Sequence, residues 1–306
     1  AAVYNIRCLP ADFPQLVVER PGTPATGWYL TALRATSPAR ETLTPPTTGT
    51  SSFLMVLDDR GVPIWYKRVE RGALNPQRLS SGALVYDLGS GPYGADPDGV
   101  ATVIDLDGRV LRTVSTDDPE AFPLGHHELL ESADGGWTTL SYPLRSGVDL
   151  TVLNGPPSSD YPPRPPDDVD PPEFGDDEFV VDNSIREIDA EGNLSWEWTA
   201  SDHFAIAESQ YPVRFFQYRD GGEVDLYHTN SVFRVADGTA DYIITARHLD
   251  AVARIDRTTG SLVWILTSAP SDGSDLPPNP DGAARLEVVG DPLGGPRRPH
   301  DGRLVG

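Results

Sequence analysis

One unit recurs along the chain and restricts its fold more than any other feature: an alternating apolar run, a turn built on Asp and Gly, and a return run. Phe53–Leu57 leads through Asp58-Asp59-Arg60-Gly61 to Ile64-Trp65-Tyr66, and Ala101–Ile104 through Asp105-Leu106-Asp107-Gly108 to Val110-Leu111. Ser184–Ile188 leads through Asp189-Ala190-Glu191-Gly192 to Leu194-Ser195-Trp196. Ala251–Ile255 leads through Asp256-Arg257-Thr258-Thr259-Gly260 to Leu262-Val263-Trp264. Each copy predicts a β-hairpin, because Gly supplies positive φ beside an Asp that hydrogen-bonds its own turn. Trp65, Trp196 and Trp264 stand in the return runs, each four residues after the turn glycine, and are expected as core anchors between sheets. Further strands are expected at 82–86, 136–140 and 241–245. Two hairpins make a four-stranded sheet, and several such sheets arranged radially make an all-β propeller, which hides most strand edges. A β-sandwich with repeated turn chemistry is the alternative.

Composition agrees with many short strands. The 306 residues include 29 Gly and 30 Pro, and six Trp, eleven Tyr and nine Phe are too many large aromatics for a chain disordered throughout. Residues 1–45 lack the repeat and read as an N-terminal strap, with the propeller over 46–306 and a Pro-rich acidic loop inserted at 155–177. A net charge of −22 argues against a nucleic-acid partner, which would need clustered Lys and Arg. The single cysteine, Cys8, cannot form an internal disulfide. No apolar run is long enough to span a membrane, and Ala1-Ala2-Val3-Tyr4 lacks the features of a signal peptide.

The chemistry is expected where histidines from separate sheets converge on a propeller's axis. His126-His127-Glu128-Leu129-Leu130, the segment Asp225–Val232 with His228 and Asn230, Arg247-His248, and His300-Asp301 fall in comparable places near strands and turns. Neutral imidazole is a nucleophile near neutral pH, Arg and an Asn amide can hold the oxygens of a group in flight, and a second His can exchange the proton. This set suits transfer of a tetrahedral oxyanion group, phosphoryl or sulfuryl. The chain has no glycine-rich phosphate loop, which disfavours a nucleotide donor. His203 and His248 read as ordinary structural histidines. Which of His126 and His127 faces the channel stays open.

These segments, with Thr245–Asp256 continuing through Gly260 to Trp264, resemble the arylsulfotransferase family, bacterial enzymes that move sulfate between phenols without a nucleotide donor. The resemblance covers roughly residues 45–306. It implies a six-bladed propeller, a phenolic sulfate donor, a phenolic acceptor and no cofactor. It also implies His300 as the nucleophile that becomes sulfated, His228 and Asn230 as the His-x-Asn pair, Arg247 as the sulfate-holding Arg, and His126 or His127 as the remaining channel His. A secreted, cell-surface or periplasmic location is implied as well. Leu226 stands where the family commonly has Trp, and Pro299 where it usually has Gln. The chain ends at Gly306, soon after His300, so it is expected to be a fragment with an incomplete last blade, or else to close differently.

Two other functions remain open. Ala253–Trp264 resembles the tryptophan-docking motif of quinoprotein propellers, which bind pyrroloquinoline quinone. A non-catalytic scaffold or adhesion propeller is the third reading. Asp96-Pro97-Asp98-Gly99 and Asp105-Leu106-Asp107-Gly108 lack the closing Glu of a calcium loop and read as turns, although a structural calcium ion stays compatible with so acidic a chain.

Overall fold

A computed structural model describes residues 9–10, 13–14, 16–19, 21–23, 25–33, 52–69, 72–88, 100–122, 124–154, 173–215, 222–268, 275–286, 288–292 and 294–304. The chain is all-β apart from short 3-10 turns, and its contacts divide it into two units, Ala1–Ser115 and Thr116–Gly306.

The first unit holds β1 (Tyr29–Leu33), β2 (Ser52–Leu57), β3 (Pro63–Val69), β4 (Ala73–Arg78), β5 (Leu84–Leu88), β6 (Val100–Ile104) and β7 (Val110–Ser115). They form a three-stranded sheet, β1-β2-β3, and a four-stranded one, β4-β5-β6-β7, antiparallel throughout. Within the expected strap, β1 is therefore a paired strand. Both hairpins turn as their sequence demands: Asp58 Oδ1 accepts from the N–H groups of Arg60 and Val62, and Gly61 and Gly108 take φ of 77° and 83°. Leu54, Val69, Ala73, Leu84, Tyr86 and Ile104 bury a shared core against which Trp65 packs.

The second unit holds β8 (Leu124–Glu131), β9 (Trp137–Ser141), β10 (Leu144–Val148), β11 (Glu178–Val181), β12 (Ser184–Ile188) and β13 (Leu194–Thr199). It continues with β14 (Val213–Phe215), β15 (Glu223–Asp225), β16 (Thr229–Arg234), β17 (Tyr242–Ala246), β18 (Ala251–Ile255), β19 (Leu262–Thr267) and β20 (Ala284–Leu286). Three sheets result, in the orders β13-β12-β9-β8, β10-β11-β15-β14 and β16-β17-β18-β19-β20. The β8–β13 sheet, like β4–β7, has the four-stranded antiparallel form of a propeller blade. β11 pairs with β15 in parallel, so the chain leaves this middle sheet twice. It passes through Asp182-Asn183 into β12 and through Leu226–His228 into β16.

The hairpins and extra strands expected from the sequence are all present. The tryptophans differ from expectation. Trp65, Trp196 and Trp264 are half-buried, whereas Trp198 and Trp137 are the buried ones. The reason is position along the strand: Trp196 shares a face with Trp198 but lies nearer the Asp189–Gly192 turn of the hairpin. Trp196 stacks on Tyr242 with 5.6 Å between ring centroids, and Trp198 Nε1 donates to the Gly260 carbonyl at 2.9 Å. Both thereby join the β8–β13 sheet to the β16–β20 sheet. Most of the acidic loop at 155–177, the turn Asp96–Gly99 and Cys8 lie outside the described residues.

Candidate functional site

The two edge strands β8 and β16 pack beside one another. His127 lies in β8, while His228, Arg247 and His248 lie on connectors just past strand ends, and His300 lies on the segment after β20. All belong to the second unit. The imidazoles form a chain: His300 to His127 and His127 to His228 are each 5.7 Å between centroids, and His228 stacks on His248 at 4.7 Å. Convergence was expected from strands facing an axis. Connectors supply most of it instead, because a strand end can abandon alternation and aim several side chains at one point.

His228 shows how. It takes φ of 48°, a left-handed conformation costing a non-glycine residue roughly 1–2 kcal/mol. Asp225, buried and three residues earlier, holds it there: Oδ1 accepts the His228 backbone N–H at 3.1 Å and Oδ2 bonds Nδ1 at 2.6 Å. The peptide groups of Arg247 and His248 donate to the carbonyls of His228 and Tyr227, each at 3.1 Å, which extends the β16–β17 ladder past the strand ends.

The hydrogen-bond network assigns the tautomers. Tyr142 spends its one proton on the Thr229 carbonyl at 3.0 Å, so at 2.5 Å it must accept from Nδ1–H of His127. Carboxylate Asp225 likewise requires Nδ1–H on His228, and the Asp225 carbonyl requires it on His248 at 3.1 Å. In its neutral form each of the three rings therefore carries its lone pair on Nε2. On His248 that lone pair accepts Arg247 Nη1 at 3.1 Å. Burial pushes the His248 pKa down to about 4, against the pull of Asp225, so the ring is neutral and can accept. Burial alone would raise Asp225; the imidazoles of His248 and His228 outweigh it and hold its pKa below the usual carboxylate value.

Arg247 is half-buried and forms no ion pair among the described residues. Its guanidinium is aimed by His248, which the sequence marked only as an ordinary structural His. Asn230 is buried; its amide donates to the Pro299 carbonyl at 2.9 Å, next to exposed His300. Here that amide holds the segment carrying His300. His126 lies in β8, but its side chain is outside the described residues. His203 stacks on Trp198 with an interplanar angle of 7° and bonds Asp281 at 2.9 Å, as a structural His would. Tyr142 and Asp225 had no signal as site residues, since Tyr142 reaches a carbonyl 87 positions away. Gly125 admits Tyr142: a Cβ there would meet its ring at 2.9 Å.

Asp225, His228 and His248 present ligand atoms within 4.8 Å of one another, a possible cation triad. Their bonds argue against it. Nδ1 of both rings is committed to Asp225, and Arg247 occupies Nε2 of His248, adding a fixed positive charge. No helix among the described residues is long and apolar enough to cross a membrane.

A family model described as Arylsulfotransferase (ASST) matches residues 163–279, which include Asp225, His228, Asn230, Arg247 and His248. It bears out the family resemblance and supports sulfuryl transfer as the general chemistry. No curated protein matches the chain. Among solved structures, a protein of unknown function from Bacteroides caccae is similar at 10% identity and a TM-score of 0.33, over 70% of this chain and 69% of that one. A streptogramin B lyase is similar at 12% identity and 0.33, over 80% and 64%. BamB from Moraxella catarrhalis is similar at 12% and 0.29, over 76% and 52%. The chain thus spans less than two thirds of the latter two structures.

Proposed function

We propose that the chain moves a sulfuryl group from a phenolic sulfate ester to a phenolic acceptor in two steps, through a sulfated His300. The observation that carries this reading is the run of imidazoles from His300 through His127 and His228 to His248, ended by a guanidinium. In the first step a lone pair of His300 attacks sulfur, the N–S bond forms, and the S–O bond to the phenol breaks. The phenolate leaves with the electron pair and takes a proton from His228 when that ring is doubly protonated. Asp225 supports that imidazolium through Nδ1–H. In the second step Nε2 of His228 takes the acceptor's hydroxyl proton, the new S–O bond forms, and His300 leaves as the neutral ring. Arg247 steadies the sulfuryl oxygens. His127, with Nδ1–H tied to Tyr142, would offer Nε2 as a second proton acceptor.

A six-bladed closure, an extracytoplasmic location and independence from cofactors belong to the same proposal. The protein as a whole carries −22, so donor capture must rely on local cations near the site, and added salt should not abolish it. Steady-state turnover of p-nitrophenyl sulfate with a varied phenol tests the reading. Parallel double-reciprocal lines are expected, with acceptor-dependent release of p-nitrophenol. Intersecting lines would remove the two-step exchange, and a lack of turnover at every phenol concentration would remove the reaction.

A further inference from the structure

The segment from Arg297 to Arg303 has little regular structure, yet it is fastened along its length. Arg298 N donates to buried Asp250 Oδ1 at 2.6 Å, and Asn230 holds the Pro299 carbonyl. Gly302 N donates to Thr245 Oγ1 at 2.8 Å, an approach only glycine permits, since a Cβ there would meet that oxygen at 2.7 Å. Arg298 and Asp301 take φ of 45° and 58°, so His300 is presented between two left-handed residues that external contacts must keep in place. The last fastening is electrostatic. Arg303 Nη2 reaches Glu128 Oε2 at 3.1 Å, and its guanidinium lies 5.3 Å from the Phe233 ring centroid. Glu128 is the neighbour of His127 in β8.

We infer that Glu128 and Arg303 are positioning residues for His300, clamping its segment to the strand that carries His127 and so setting the distance between the two imidazoles. The inference rests on the reading of His300 as the group that takes up the sulfuryl. Around Glu128 stand Arg303 and Asp301 from the terminal segment and the Val232 N–H from β16. Burial, aided by Asp301, pushes its pKa up to about 7 against Arg303 and that N–H. The carboxylate is therefore neutral below this pH and ionised above it. The clamp tightens as pH rises through neutrality.

The test compares wild type, Arg303→Gln, Arg303→Lys and Glu128→Gln in two readouts, sulfuryl transfer and amide hydrogen exchange at Gly302. Arg303→Gln should lower kcat about tenfold or more with little change in KM, since misplacement of a reacting group acts on the chemical step. It should also speed exchange at Gly302, and Arg303→Lys should recover most of both. Glu128→Gln, nearly isosteric, should remove the part of the wild-type rise in kcat that falls near pH 7. Wild-type kcat and Gly302 exchange in Arg303→Gln, or an unchanged pH profile in Glu128→Gln, would overturn the clamp. If wild type itself never sulfates His300, the proposed reaction fails, while the exchange readout still decides whether the clamp exists.

Discussion

The two units of this chain are built from the same hairpin and do different things with it. In the first, the turn of one sheet is a lock for another: Trp65 Nε1 donates to Leu106 O at 2.8 Å and Lys67 Nζ to Gly108 O at 3.0 Å, both in the β6–β7 turn. In the second, Trp198 docks on Gly260 O in a similar way, but the connectors past strand ends carry His228, Arg247, His248 and Asp250, with left-handed residues and buried carboxylates. All six histidines of the chain lie in that unit. The lesson is that the repeat builds the scaffold, while chemistry gathers where the chain runs past the end of a strand and alternation is suspended.

Substitutions can break that contrast. The largest effect is expected from Arg247→Ala, which should lower transfer about 10²–10³-fold by removing a charge aimed at the sulfuryl oxygens. A rate within twofold of wild type would detach Arg247 from the chemistry. Asp225→Asn should lower transfer about a hundredfold, because an amide oxygen cannot support a His228 imidazolium as a carboxylate does. It should change acid stability too. A carboxylate held below its ordinary value of 3.8 stabilises the fold above that pH and loses its contribution as pH falls through the depressed value. The wild type should therefore weaken in strong acid by a component missing from Asp225→Asn, read from denaturant midpoints across acid pH. Tyr142→Phe should cost less, roughly tenfold in transfer, by releasing the His127 tautomer; imidazole nitrogen chemical shifts would show the proton moving on that ring. The smallest effect belongs to the first unit. Trp65→Phe should cost about 0.5–1 kcal/mol of stability through one lost hydrogen bond and leave transfer unchanged. A matching loss of activity would erase the division of labour.

The hairpins were legible because their information is local: Asp and Gly a few residues apart, between alternating runs. The middle sheet was not, since β11, β14 and β15 are three or four residues long and β11 pairs in parallel with a strand more than 40 positions away. The same contrast holds at the site. His228, Arg247 and His300 announce themselves by residue type and segment, and the structure brings them into one cluster with His127. The partners that set their protonation do not. Asp225 looks like a strand end, Tyr142 like core, and His248 like a structural ring, because each acts through an atom contributed from another part of the chain. Trp198 was overlooked for Trp196 because the spacing from glycine marks the hairpin but not the depth along β13.

The most direct test of the whole account is the mass of the protein quenched at alkaline pH during turnover of p-nitrophenyl sulfate, followed by peptide mapping. The account predicts one added sulfuryl group on the peptide containing His300, absent from His300→Ala and discharged when a phenol is added. A protein that turns over donor with its His300 peptide unmodified, or with the group on another residue, would contradict it.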